Sequence, residues 1–96
     1  MYIYLVKNKD HTKFKVGYTS ATDPRKRLRN YFTHNSDIDV IGVWKVKSKT
    51  WERIIHLEIM KAGYIKDSTK YQQEWFHGNI LLKEIDVFLN KYEAKV

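Results

Sequence analysis

Two short runs of β-branched and aromatic residues, separated by six polar ones, constrain the fold more than any other feature of the chain. Tyr2 to Val6 is apolar throughout, and Lys13 to Tyr18 alternates Phe14, Val16 and Tyr18 with Lys13, Lys15 and Gly17. The stretch between them, Lys7-Asn8-Lys9-Asp10-His11-Thr12, is rich in turn formers, so the two runs read as an antiparallel hairpin. Asp39 to Val46 alternates in the same way, Val40, Gly42, Trp44 and Val46 against Ile41, Val43 and Lys45, and reads as a third strand.

Helices fit between and after these strands. Asp23-Pro24 is a helix start, because Asp caps well and Pro is tolerated where the first N–H has no partner. Leu28, Tyr31 and Phe32 then form an apolar stripe at helical spacing, ending near His34-Asn35-Ser36. Thr50 is read as the cap of a second helix to about Lys61, carrying Trp51, Ile54, Ile55 and Ile59 and stopped by Ala62-Gly63-Tyr64. Residues 64–73 read as irregular, and Glu74-Trp75-Phe76 as a short strand or anchored turn. Asn79 is read as capping a last helix over 80–92. The predicted order is ββαβαα: an α/β (α+β) domain over residues 1–96, with a three-stranded antiparallel sheet flanked by helices.

Composition narrows the function. A chain of 96 residues leaves room for one small core. No apolar run nears the roughly 18 residues of a membrane span. Lys7 and Lys9 follow the apolar start at once, unlike a signal peptide. The absence of cysteine excludes disulfides, thiolate zinc sites and cysteine nucleophiles. These features lead us to expect a soluble, cytoplasmic protein with no membrane partner. The formal charge of +7 is lopsided: Lys7, Lys9, Lys13, Lys15, Arg25, Lys26, Arg27 and Arg29 face only Asp10 and Asp23 over residues 7–29. Such a field suits a polyanion, most often nucleic acid, although charge alone equally describes a solvated surface.

Cutting a phosphodiester needs a group to activate water, a group to hold phosphate and a cation for the developing charge. The chain offers candidates at regular intervals: Tyr2-Ile3-Tyr4, Lys15-Val16-Gly17, Asp23-Pro24-Arg25-Lys26-Arg27-Leu28, Glu52 with His56, and Glu74-Trp75-Phe76. In that order and spacing, over about residues 2–78, the chain resembles the GIY-YIG nuclease superfamily. The phage- and virus-associated branch whose second motif begins with lysine is the nearest match. The resemblance implies a metal-dependent endonuclease with its site on one sheet face. It assigns Tyr4 to the tyrosine of the first motif, Lys15 and Gly17 to the start and close of the second, Arg27 to the helix arginine and Glu52 to the metal ligand. Tyr2 replaces the leading glycine, and Lys15 replaces the second tyrosine.

The Lys15 variant is chemically workable. A free phenol titrates near ~10, and a neighbouring ammonium favours the phenolate. Tyr4 and Lys15 lie on adjacent strands of the predicted hairpin, where their side chains can meet. Arginine's planar fork binds phosphate through two parallel hydrogen bonds. On a helical wheel Arg25 and Arg27 flank opposite sides of the Leu28 stripe, so only one can reach a common site. The motif selects Arg27 and leaves Arg25, Lys26 and Arg29, with Lys7, Lys13 and Tyr18, to contact nucleic acid. A single carboxylate, Glu52, suits Mg²⁺ or Mn²⁺, which keeps water and phosphate oxygens as its other ligands. Glu58 is the second candidate. His56, one turn after Glu52, is placed to assist proton transfer or bind phosphate, or equally to pair with Glu52.

The reading is a small endonuclease acting on DNA with little sequence preference. A catalytically inactive nucleic-acid-binding module of the same fold is the first alternative. The second is a small viral or phage interaction factor presenting Trp44, Trp51 or Trp75 as an anchor.

Overall fold

The computed structural model describes residues 1–31, 38–67 and 75–92, with Tyr31 and Tyr92 described by their backbone alone. The hairpin forms as the patterning predicts: β1 (Tyr2–Asn8) pairs antiparallel with β2 (Lys13–Thr19), Tyr2 opposite Thr19 and Tyr4 opposite Gly17. Asn8 closes the turn, its Oδ1 accepting the N–H groups of Thr12 and Lys13, both at 2.9 Å, while His11 takes a left-handed φ of 54°. α1 (Pro24–Tyr31) follows, and the Lys26 N–H donates to Asp23 Oδ1 at 3.2 Å, as expected for an Asp cap. β3 (Ile38–Lys45) pairs antiparallel with β1 from the other side, with an irregularity between Leu5 and Val6 that leaves Ile41 unpaired.

α2 (Thr50–Lys61) begins one residue earlier than a Thr50 cap requires. Lys49 occupies the cap position without a side-chain hydrogen bond, and Thr50 is already helical. The far end behaves as read: Gly63 takes φ +98°, which lets its N–H reach the Met60 carbonyl and the Tyr64 N–H reach that of Ile59.

The predicted three-stranded sheet and ββαβαα order are not what the chain forms. β4 (Ile65–Lys66) and β5 (Trp75–His77) extend the sheet to five antiparallel strands in the order β3-β1-β2-β5-β4. β5 docks on β2 with Phe14 opposite Phe76, and these rings stack with centroids 5.5 Å apart. A two-residue strand carries no periodicity that a sequence can display, and a three-residue one barely does; their pairing depends on a long-range aromatic contact. α3 (Leu82–Tyr92) starts later than read. Asn79 does not cap it. Glu84 reaches back instead, its Oε2 accepting the Leu81 N–H at 2.8 Å. Among the described residues no helix is long and apolar enough to cross a membrane.

The strand pleat divides the side chains between two faces. Ile3, Leu5, Phe14 and Val16 point to the face covered by α2 and α3, where they bury against Ile55, Ile59 and Ile85, all 0% exposed. Tyr4, Val6 and Val43 point to the other face, which α1 covers only through Leu28. The site lies on this second, thinly covered face.

Candidate active site

Tyr4 sits in the middle strand of β3, β1 and β2, and its ring crosses over Gly17 on β2. A Cβ at position 17 would fall inside the van der Waals envelope of Tyr4 Cζ and Oη. The glycine that closes the second motif is therefore the floor on which the Tyr4 phenol rests. Lys15 opposes Val6 on β1 and Trp75 on β5, which puts it on the Tyr4 face, diagonal to Tyr4 across the β1–β2 ladder. Diagonal neighbours lie about 7–8 Å apart, within reach of a lysine side chain.

α1 brings the guanidinium. Leu28, 3% exposed, packs on Tyr4 and Val6 and orients the helix. That orientation places Arg27 on the rim of an open groove lined by Tyr4, Tyr18, Thr19, Arg27 and Leu28. Arg27 is exposed and has no ion pair or side-chain hydrogen bond to the described residues. Tyr4 and Arg27 thus share one groove. Arg25, one turn-flank away, does not line it.

Glu52 and His56 come from α2, which packs on the opposite face. Trp51, Ile55 and Ile59 hold that helix in the core. Glu52 and His56 project from one of its flanks, the one turned to the β2 edge, where His56 Nε2 lies 2.6 Å from the Val16 carbonyl oxygen. A carbonyl only accepts, so Nε2 carries the proton and the ring is held by the backbone. Glu52 is part-exposed and makes no ion pair among the described residues. Glu58 is on the other flank, 6% exposed, with Lys91 Nζ at 3.4 Å and Lys61 Nζ at 3.9 Å; it ties α2 to α3. No group of three or more metal-ligating side chains occurs among the described residues. A lone carboxylate of this kind fits an ion that retains water and phosphate oxygens, and does not form a cage made wholly of protein. Glu74 lies outside the described residues.

A family model, the T5orf172 domain, matches residues 1–93. The chain belongs to the T5orf172 domain family. This family is linked to the GIY-YIG nuclease superfamily, so the resemblance holds at the level of the family. No curated protein and no solved structure matches the chain.

The T5orf172 fold redistributes the charges expected to meet nucleic acid. Arg25, Lys26 and Arg29 stand exposed on α1, and part-buried Tyr18 lines the groove. Lys7 does not lie on that surface: it is 5% exposed, and its ammonium donates to Asn79 Oδ1 at 2.7 Å. Burial lowers its pKa below the ordinary lysine value, an effect the Glu84 charge opposes. Its phase gave it away, because Lys7 continues the Ile3 and Leu5 side of β1. Lys13 forms an ion pair with Asp67, 4% exposed, at 2.8 Å, and His77 stands 3.7 Å from the same carboxylate. No local pattern marks that trio, which the β2–β5 and β4–β5 pairings assemble. Each tryptophan is engaged in the fold, although Trp44 and Trp75 stay part-exposed. Trp44 donates its indole N–H to Asp86 at 2.7 Å, Trp51 is 5% exposed and Trp75 packs on the Tyr4 cluster.

Proposed function

We propose that this T5orf172 domain hydrolyses phosphodiester bonds of DNA with a divalent metal ion. The observation that carries the reading is the shared groove: Tyr4 and Arg27 line one open cleft, and the missing Cβ of Gly17 makes the space in which the Tyr4 ring lies. Arg27 binds the phosphate at the rim through paired hydrogen bonds. Tyr4 orients or deprotonates the attacking water, and the Lys15 ammonium on the same face favours its phenolate or contacts the phosphate. Glu52 is the described carboxylate that would hold Mg²⁺ or Mn²⁺, an ion that supplies charge stabilisation and an acidified water when bound. His56, with its Nε2 committed to Val16, positions the β2 edge against α2.

The position of α2 on the far face favours a second reading, a binding module that keeps the groove without the chemistry. Incubation of the protein with plasmid, single-stranded DNA and RNA, in Mg²⁺, in Mn²⁺ and in chelator, separates the two. The hydrolytic reading expects nicked or linear plasmid in metal alone, and none from Glu52→Ala. Binding that survives Glu52→Ala, with no strand cut by either protein, supports the module instead.

A further inference from the structure

We propose that the link from β3 to α2 is a second contact surface for the nucleic acid, taking unpaired nucleotides beyond the Tyr4–Arg27 groove. It rests on the reading that the chain acts on nucleic acid, and adds where the strand runs and in what form.

The register puts Thr19, Tyr2 and Lys45 in one row across β2, β1 and β3, at the end of the sheet where the groove opens. Lys45, Lys47 and Lys49 follow one another along the chain from that row, all three exposed and without an ion pair among the described residues. They contrast with Lys7 and Lys13, whose ammonium groups are taken up by Asn79 and Asp67. Two part-exposed aromatics border the stripe. Lys49 Nζ stands 5.9 Å above the Tyr18 ring, and Tyr18 itself lines the first groove. At the other end Lys45 and Lys47 flank a second open groove, lined also by Trp44, Trp51, Leu89 and Asn90. Two acids adjoin the stripe: Asp86, whose Oδ1 accepts the Trp44 indole N–H, and Glu52 in the first turn of α2.

Exposed cations bordered by aromatic side chains suit a single strand. Phosphates meet the ammonium groups, and bases stripped of their partners stack on rings whatever their sequence. A duplex hides those base faces and would use the lysines alone. The charge could also draw an acidic membrane, and binding to anionic vesicles is the outcome that would show it.

The test measures binding of a labelled oligothymidylate, a blunt duplex and phosphatidylserine vesicles, in chelator and across a salt series. It compares the parent with K45Q/K47Q/K49Q and with K9Q/K66Q/K83Q, which removes the same charge from exposed positions elsewhere. Circular dichroism checks that each variant is folded. The first variant is expected to lose on the order of tenfold or more in single-strand affinity at low salt, with its log–log salt slope shallower by about 2. The second is expected to change little, the duplex loss is expected to be smaller, and vesicles are expected to bind weakly throughout. Equal losses in both variants, or a loss confined to duplex or vesicles, would overturn the surface. If the first variant binds like the parent while Arg27→Ala stops cleavage, the stripe fails and the hydrolytic reading stands. If the parent binds no nucleic acid at low salt, both fail.

Discussion

The two faces of the sheet have been put to different uses. Under α2 and α3, Ile3, Leu5, Phe14, Val16 and the isoleucines of the helices form a closed apolar core, and even its charges are tied down, Glu58 by Lys91 and Lys7 by Asn79. Under α1 the buried cluster is Tyr4, Val6 and Leu28, with the phenol and a guanidinium facing an open groove. Apolar burial drives folding in proportion to area, so the first face supplies most of the stability. The second is left thin enough to admit a ligand.

The contrast can be broken by substitution. Ile55→Ala, in the middle of the closed face, is expected to cost about 2–5 kcal/mol in chemical denaturation, with Leu28→Ala under α1 costing clearly less. Equal costs would mean that the thin face is no thinner in energy than the other. Gly17→Ala pushes a methyl into the Tyr4 ring, and an overpacked site loses about 1–3 kcal/mol. The same variant is expected to lose strand cleavage, so a stable and fully active Gly17→Ala protein would unseat Gly17 as the support of the Tyr4 ring.

Smaller effects sharpen the comparison on the closed side. Lys7→Met removes a buried ammonium and leaves Asn79 to water, so its stability is expected within about 1 kcal/mol of the parent, with DNA binding unchanged. A large drop in DNA affinity would return Lys7 to the binding surface. Tyr64 offers a pH signature. Burial first, then its hydrogen bonds to Glu84 and that charge, raises its pKa above the ordinary 10.0. The folded state therefore favours the neutral phenol. The stability from this contact is full below pH 10.0 and is lost as pH rises through the higher folded value. Thermal melts of Tyr64→Phe are expected to be flatter than the parent's in that alkaline window, and parallel curves would remove the contact from the account.

Much of this architecture was legible in the chain because it rests on local patterns. The β1–β2 hairpin follows from alternation around a polar turn, the start of α1 from Asp23-Pro24, and the end of α2 from Gly63. β4 was illegible because two residues hold no period; β5 reads as a short strand or anchored turn, but its place in the sheet does not show, because the Phe14–Phe76 stack that docks it joins positions far apart in sequence. Capping misled at Thr50 and Asn79 for a related reason. Either residue can cap, but in this fold Thr50 is drawn into the helix and the Asn79 amide oxygen answers a buried lysine. Tyr4, Lys15 and Gly17 could be placed together from strand register alone. The layer on which Glu52 lies could not, since helix periodicity gives a flank and never says which side of a sheet the helix will cover.

The central claim is that Tyr4 and Arg27 form the working groove, and cleavage by paired arginine variants tests it most directly. With plasmid DNA in Mg²⁺ or Mn²⁺, Arg27→Ala is expected to cut on the order of 10²-fold more slowly than the parent, and Arg25→Ala to stay near the parent rate. Full activity in Arg27→Ala together with loss in Arg25→Ala would contradict the account.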